Sequence, residues 1–279
     1  MSIRVVTDST CDLPADLVAE HQITVVPAYV NFGAESLRDG VDITREAFYQ
    51  RLAAAQPPPT TAAPSPGQFQ QAYEHLADQG VTEIISVHLA GTLSNLFAAA
   101  QMAAAATERV RVIAVDARQV SLGVGFAALT AARAAAAGHR LADIADMLKH
   151  LAQRTRLFAV IDTLTFLRRS GRLNFLEAGL GSLLQIKPIL TVHDGQITTE
   201  RVRTRNQAIQ RLVGLLHDQL PVEQMAVLHT AARARAEEFL TEVRHLLPAG
   251  PIPVVEATPA IGVHVGPGAL GFVCVAAER

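Results

Sequence analysis

A chain of 279 residues, 49% hydrophobic and 18% charged, has the length for one large domain or two of moderate size and the apolar content for a buried core, which excludes intrinsic disorder. Its net charge of −2, with no block of lysines and arginines, excludes an electrostatic footprint for nucleic acid or an anionic membrane. The two cysteines, Cys11 and Cys274, lie at opposite ends without CxxC or Cys/His spacing, which argues against a zinc site and a disulfide scaffold and fits a reducing compartment. A strand-like run begins at Ile3 and leaves no room for a signal peptide. The Ala-rich stretches are broken by Gln101, Thr107, Thr130 or Arg133 before they reach about 18 apolar residues. The expected location is the cytoplasm, with no stable membrane insertion.

In chain order, "IRVVTDS" (3–9) reads as a strand, residues 14–21 as a helix and "ITVVPAYV" (23–30) as a second strand. A helix is expected over 44–55. "QPPPTTAAPSPGQF" (56–69) has the composition of a spacer, yet Ser65-Pro66-Gly67-Gln68 is a helix start: serine as N-cap, proline at the first position, glutamine able to bond back to the cap. That helix should run to Gln79, with Gly80 as its stop. "EIISVHL" (83–89) and "VRVIAVDA" (110–117) are short strands separated by Ala-rich helical stretches. Strands alternating with helices imply a mostly parallel sheet with helices on both faces.

The rhythm changes near Gly138. A helix over 141–154 leads to "LFAVIDT" (157–163), and "PILTVHDGQITTERVRT" (188–204) contains two extended runs joined by Asp194-Gly195, the dipeptide of a tight hairpin. Helices at 205–219 and 231–246 and strands "QMAVLHT", "IPVVEAT" and "GFVCVAA" complete a mixed α/β unit with an antiparallel hairpin. The fold class expected is α/β in two domains, 1–155 and 156–279.

Five segments carry residues able to do chemistry, each with a plainer alternative. Thr60 and Thr61 lie between prolines that limit their freedom, in a surface connection or a ligand-facing loop. "HLAGTLSN" (88–95) places Gly91, Thr92 and Ser94 after a parallel strand, where they either turn and cap or offer amides to an anion. "IGVHVGPGALGF" (261–272) sets His264 among glycines, as a carboxylate donor or a structural histidine. In "TDSTCDLP" (7–14), Asp8 and Asp12 cap a helix or serve acid/base chemistry. "LRRSGRLN" (167–174) gathers Arg168, Arg169 and Arg172 at a solvated helix end or an anion contact. No P-loop, nucleophile elbow, HExxH or strand-linked dinucleotide fingerprint is present.

Taken in order, "TDSTCDLP", "TTAAPSPGQF", "HLAGTLSN", "IDTLTFLRRSGRLN" (161–174), "LLQIKPILTVHDG" (183–195), "RVRTRNQAI" (201–209) and "IGVHVGPGALG" resemble the DegV family over essentially the whole chain. These are bacterial fatty acid binding proteins, the acyl-carrying subunits of a fatty acid kinase. The resemblance implies two α/β domains, the first carrying the carboxylate-binding loops and the second contributing His264 and part of a lipid pocket. It also implies a long-chain fatty acid as ligand, no cofactor, no metal, and no catalysis by this chain. A separate ATP-dependent kinase subunit and an acyltransferase are the implied partners.

Carried over residue by residue, Thr61 keeps the family's carboxylate-binding threonine, while Ala62 stands where the family has a serine. The family's Ser-Gly-Thr becomes Ala90-Gly91-Thr92, so a hydroxyl is missing at Ala90. His264 fits the family's His-x-Gly-Pro-Gly segment and Arg172 its Gly-Arg segment. The head-group set expected is Thr61, Ala90, Gly91, His264, Ser94, Thr92 and Thr60. Arg172, Arg168, Arg169, Arg203 and Arg205 are expected to meet the partner or a phosphate. The rival is a small enzyme acting on a carboxylate or phosphate ester through Asp8, Asp12 and His264.

Overall fold

The computed structural model describes residues 2–173 and 186–278. The elements of the first half are β1 (Ile3–Asp8), α1 (Ala15–Glu20), β2 (Thr24–Val26), β3 (Tyr29–Phe32), β4 (Glu35–Arg38), α2 (Arg45–Leu52), β5 (Thr60–Ala62), α3 (Pro66–Asp78), β6 (Glu83–His88), α4 (Leu96–Ala106), β7 (Arg111–Asp116), α5 (Leu122–Ala136) and α6 (Leu141–Arg154). The second half adds β8 (Thr155–Val160), α7 (Thr165–Arg169), β9 (Lys187–His193), β10 (Gln196–Val202), α8 (Arg205–His217), β11 (Val222–His229), α9 (Arg233–Val243), β12 (Val254–Glu256), α10 (Pro259–Val265) and β13 (Leu270–Ala276).

Three sheets organise them. The first is parallel, in the order β2-β1-β6-β7. The second, β10-β9-β8-β13-β11-β12, is antiparallel except for the β11–β12 pair. The third is a small antiparallel sheet, β4-β3-β5. The α5–α6 pair is a shared layer, contacting β1, β6 and β7 on one side and β8 and β13 on the other. One apolar cluster therefore runs from Val5 and Ile85 through Leu129 and Leu148 to Leu157 and Val273. On the far face of the mixed sheet, Leu212, Leu216 and Phe239 of α8 and α9 close a second core over Phe158 and Phe272.

Local chemistry places most boundaries. Gln68 Oε1 accepts from Ser65 N at 2.8 Å, completing the capping box at the start of α3. Asp194 and Gly195 both take positive φ, 51° and 75°, as the two-residue hairpin turn between β9 and β10 requires. One expectation needs correction. Residues 23–30 are not one strand: the chain leaves the parallel sheet at Pro27, which lacks an amide for the ladder, and enters the small sheet as β3. The glycine-flanked His264 segment carries the helix α10. Of the motifs read in the sequence, residues 174 and 183–185 lie outside the described residues.

Candidate functional site

A cavity of about 180 Å³ lies where the three sheets meet. Thr10 follows β1, Leu89 and Leu93 follow β6, and Val120 follows β7, so one wall is built from the carboxyl ends of the parallel strands. The chain leaves β1 and β6 in opposite lateral directions, toward β2 and β7, and such a switch point opens a crevice. The mixed sheet supplies the opposite wall through Leu157, Ala159, Leu190 and Val192, alternate positions of β8 and β9 that share one face. Ala62 of β5 and Ala260 and Ile261 of α10 cover it. A second cavity, about 320 Å³, sits near the amino end of β1 and is lined by Arg4, Glu20, His21 and Gln22. Its lining mixes these polar side chains with Ile3, Val5 and alanines of α5.

The polar end of the apolar cavity is assembled from two short elements. Pairing with β3 puts Val30 opposite Thr61, and strand alternation then turns Thr61 to the cavity and Thr60 away from it, where Asn31 Nδ2 donates to its hydroxyl at 3.5 Å. The helix α10 starts at Thr258-Pro259, and its first amides are held by two buried carboxylates. Thr258 N donates to Asp12 Oδ1 at 2.7 Å and Ala260 N to Asp39 Oδ2 at 3.3 Å. Phe48 and Tyr49 pack against Gly262, and the Tyr49 hydroxyl donates to Ala257 O at 3.0 Å. His264 is thereby set on the last turn, 3.0 Å from Thr61 Oγ1 through Nε2.

Among the described residues, His264 Nδ1 is buried without a hydrogen-bond partner. With the proton on Nε2, the unpaired atom is a lone pair rather than an N–H. Nε2–H then donates to Thr61 Oγ1, and the threonine hydroxyl proton is left for an acceptor in the cavity. Burial, aided by the nearby Arg172 guanidinium, pushes His264 down to about 4, so the ring is neutral at physiological pH. Burial pushes Asp39 the other way, up to about 7.

These shifts have opposite signs in stability. The unfolded chain protonates His264 near 6.5 while the folded one resists until about 4, so acidification through that window destabilises the protein. Asp39 is protonated in the fold up to about 7 but in the unfolded chain only near 3.8, so its contribution is lost as pH rises through that interval. Calorimetric melting between about pH 6.5 and 4.5 is expected to show a smaller fall in Tm for His264→Gln than for wild type, and a larger one for Asp39→Asn.

The other residues singled out in the sequence divide. Ser94 and Arg172 line the cavity with Thr61 and His264. Ser94 Oγ accepts from Leu96 N at 3.3 Å, and Arg172 Nη1 donates to Ser170 O at 2.8 Å. Thr60, Ala90, Gly91 and Thr92 are not among the described residues that line the cavity. Ala90 is fully buried behind it, Gly91 N donates to Asp116 Oδ2 at 3.1 Å, and the Thr92 hydroxyl donates to Gly195 O. Arg168, Arg169 and Arg203 are exposed, whereas Arg205 shares Asp162 with Lys187.

Asp8 and Asp12 are engaged by the fold itself. Asp8 caps the turn at Ser9–Cys11 and accepts from His88 Nδ1 at 2.9 Å, while Asp12 accepts from Ser121 Oγ and Thr258 N. Neither is among the described residues that line the cavity with His264. Sequence reasoning missed Thr10 and Ser121 as wall residues and Asp39 as an anchor of α10. The Thr258-Pro259 pair, an N-cap followed by proline at the first helical position, was a signal for α10. Among the described residues no cluster of three His, Cys, Asp or Glu side chains is placed to hold a metal ion, and no helix is long and apolar enough to cross a membrane.

Comparison with known proteins identifies the family. A DegV domain-containing protein of Mycobacterium tuberculosis is 40% identical over 283 residues, covering 99% of this chain and 97% of its own. The solved structure described as fatty acid binding of a DegV family protein from Thermus thermophilus superposes with a TM-score of 0.91 at 32% identity, covering 99% of this chain and 100% of that one. The structure of DegV, a fatty acid binding protein from Bacillus subtilis, gives 0.88 at 32% identity over 99% of both chains. A family model described as an uncharacterised protein of the DegV family matches residues 2–277, and the chain belongs to the DegV family.

Proposed function

We propose that this chain encloses a long-chain fatty acid, with the alkyl tail in the apolar cavity and the carboxylate at Thr61, beside His264, Ser94 and Arg172. One observation carries it: an aliphatic cavity whose few polar groups include a threonine hydroxyl and a neutral histidine in mutual contact at 3.0 Å. The fatty acid binding of the Thermus and Bacillus relatives supports the same reading. A tail of about 14 methylenes gains on the order of 11 kcal/mol on leaving water, at about 0.8 kcal/mol each. A single head-group hydrogen bond contributes about 1 kcal/mol net. The tail therefore provides affinity, and the head-group donors keep a desolvated carboxylate paired and decide which end of the ligand faces out.

In this reading the chain makes no bond itself. It presents the carboxylate to a separate ATP-dependent kinase in the cytoplasm, holds the resulting acyl phosphate, and releases it to an acyltransferase, with Arg168, Arg169 and Arg203 exposed for those encounters. The division into domains 1–155 and 156–279 follows the same reading, since β8 opens the mixed sheet at Thr155. Mass spectrometry of protein denatured after incubation with C14 to C18 acids is expected to release one equivalent of acid. No acid retained at any chain length would overturn the proposal. Thr61→Val is expected to weaken binding only about fivefold, the equivalent of one hydrogen bond, while slowing phosphorylation by the kinase far more. Unchanged phosphorylation would remove Thr61 from the head-group site.

A further inference from the structure

Three stretches of the cavity wall meet at one polar seam. The β9–β10 hairpin supplies Val192 and Ile197, the loop after β6 supplies Leu93 and Ser94, and the loop after β7 supplies Val120 and Ser121. All three are tied together at the hairpin tip. Gly195 N donates to Arg118 O at 2.8 Å, Arg118 Nε pairs with Asp194 Oδ1 at 2.9 Å, Arg118 Nη2 donates to Asp194 O at 3.2 Å, and the Thr92 hydroxyl donates to Gly195 O. The side chains of Arg118 and Asp194 are 51% and 44% exposed, so water screens the pair and competes for it. Ile197 sits on β10, which among the described residues is an edge strand hydrogen-bonded to β9 alone. Elsewhere the mixed-sheet wall is closed by continuous ladders from β9 through β8 to β13, whose rupture would expose buried backbone groups.

We propose that this seam is the passage for ligand exchange. Breaking the contacts among Thr92, Arg118, Asp194 and Gly195 lets the hairpin tip part from the two loops, and re-forming them closes the wall beside the bound tail. The inference rests on the fatty acid reading above. It assigns a role to Thr92 that differs from head-group binding: its hydroxyl fastens the hairpin. It also gives the Asp194-Gly195 turn a task beyond reversing the chain.

The geometry supplies its own test. A Cβ at Gly195 would lie 3.9 Å from Arg118 Cβ, within the spacing that a disulfide bridges. The native Cys11 and Cys274 are both buried and do not compete. The double variant Arg118→Cys/Gly195→Cys would be loaded with a fluorescent C18 polyene fatty acid, and release followed on adding excess unlabelled C18 acid. Oxidised, it is expected to release the probe at least about tenfold more slowly than when reduced, since affinity changes within one protein are mostly changes in release rate. Thr92→Val/Arg118→Ala, which loosens the seam without a crosslink, is expected to release at least about threefold faster than wild type. Equal release in both redox states, or a wild-type rate in the loosened variant, overturns the seam while leaving fatty acid binding intact. A wild-type chain that takes up no probe overturns the fatty acid reading, and the seam with it.

Discussion

Replacing Asp8 by alanine is expected to destabilise the protein by about 3–5 kcal/mol, the usual cost of removing one partner from a buried pair. The Asp8 carboxylate has no exposure and accepts from Thr10 N at 3.0 Å, from the Thr10 hydroxyl, and from His88 Nδ1 at 2.9 Å. The chain of bonds continues inward: His88 Nε2 meets Ser86 Oγ at 2.6 Å, and Ser86 Oγ meets the Tyr73 hydroxyl at 2.8 Å. All of these side chains are buried, and Phe69 lies edge-on to the imidazole at 4.9 Å. Truncation leaves several donors facing apolar neighbours, each costing about 1–3 kcal/mol. Asp8→Asn keeps one acceptor oxygen and should fall between alanine and wild type. Urea titration monitored by circular dichroism measures the loss. A midpoint shift worth under about 1 kcal/mol, the level of an ordinary substitution, would show that the network is dispensable.

A valine at Gly271 is expected to cost more than about 3 kcal/mol and to abolish acyl binding, because overpacking here cannot relax through side-chain rotation. A Cβ at this position would lie 2.2 Å from Phe158 O and 2.8 Å from Ala159 Cα, both backbone atoms of β8. Since β13 is paired to β8 on one side and β11 on the other, it has nowhere to move without opening the centre of the mixed sheet. Gly271 and Ala159 also line the cavity, so any displacement changes its bore. Gly67→Ala is the matched control. Its Cβ would meet only Ser65 Oγ at 3.9 Å near the start of α3, and it should leave the urea midpoint unchanged or raised by up to about 1 kcal/mol. A Gly271→Val protein as stable as this control would show that β13 can shift.

The stretch "QPPPTTAAPSPGQF" shows how far sequence reading reached. Its helix start was legible because a capping box is settled by four consecutive residues, and Ser65 and Gln68 form the bonds their chemistry prescribes. The Asp194-Gly195 hairpin was legible for the same reason, as a turn type that demands positive φ at both central residues. The strand in its middle was not legible. Thr60–Ala62 becomes β5 only because β3 offers it an edge some thirty residues away in sequence, and nothing in three residues announces that pairing. The head-group set read in the sequence joined Thr60, Ala90, Gly91, Thr92 and Ser94 to Thr61 and His264. Side-chain direction separates the set: Thr60 points to the other face of β5, and the Thr92 hydroxyl is taken by the hairpin.

By itself, then, the sequence determined what short-range free energies decide: the apolar periodicity of strands and helices, the caps, the tight turn, and an α/β chain with a parallel first sheet. Tertiary structure alone decided the cavity and its polar end. Thr61 and His264 are 203 residues apart and meet because α10 is moored by Asp12 and Asp39 and packed on α2, contacts that exist only once the sheets have assembled. The His264 ring is driven neutral by the same burial, an effect that belongs to the packed environment rather than to the residues flanking it.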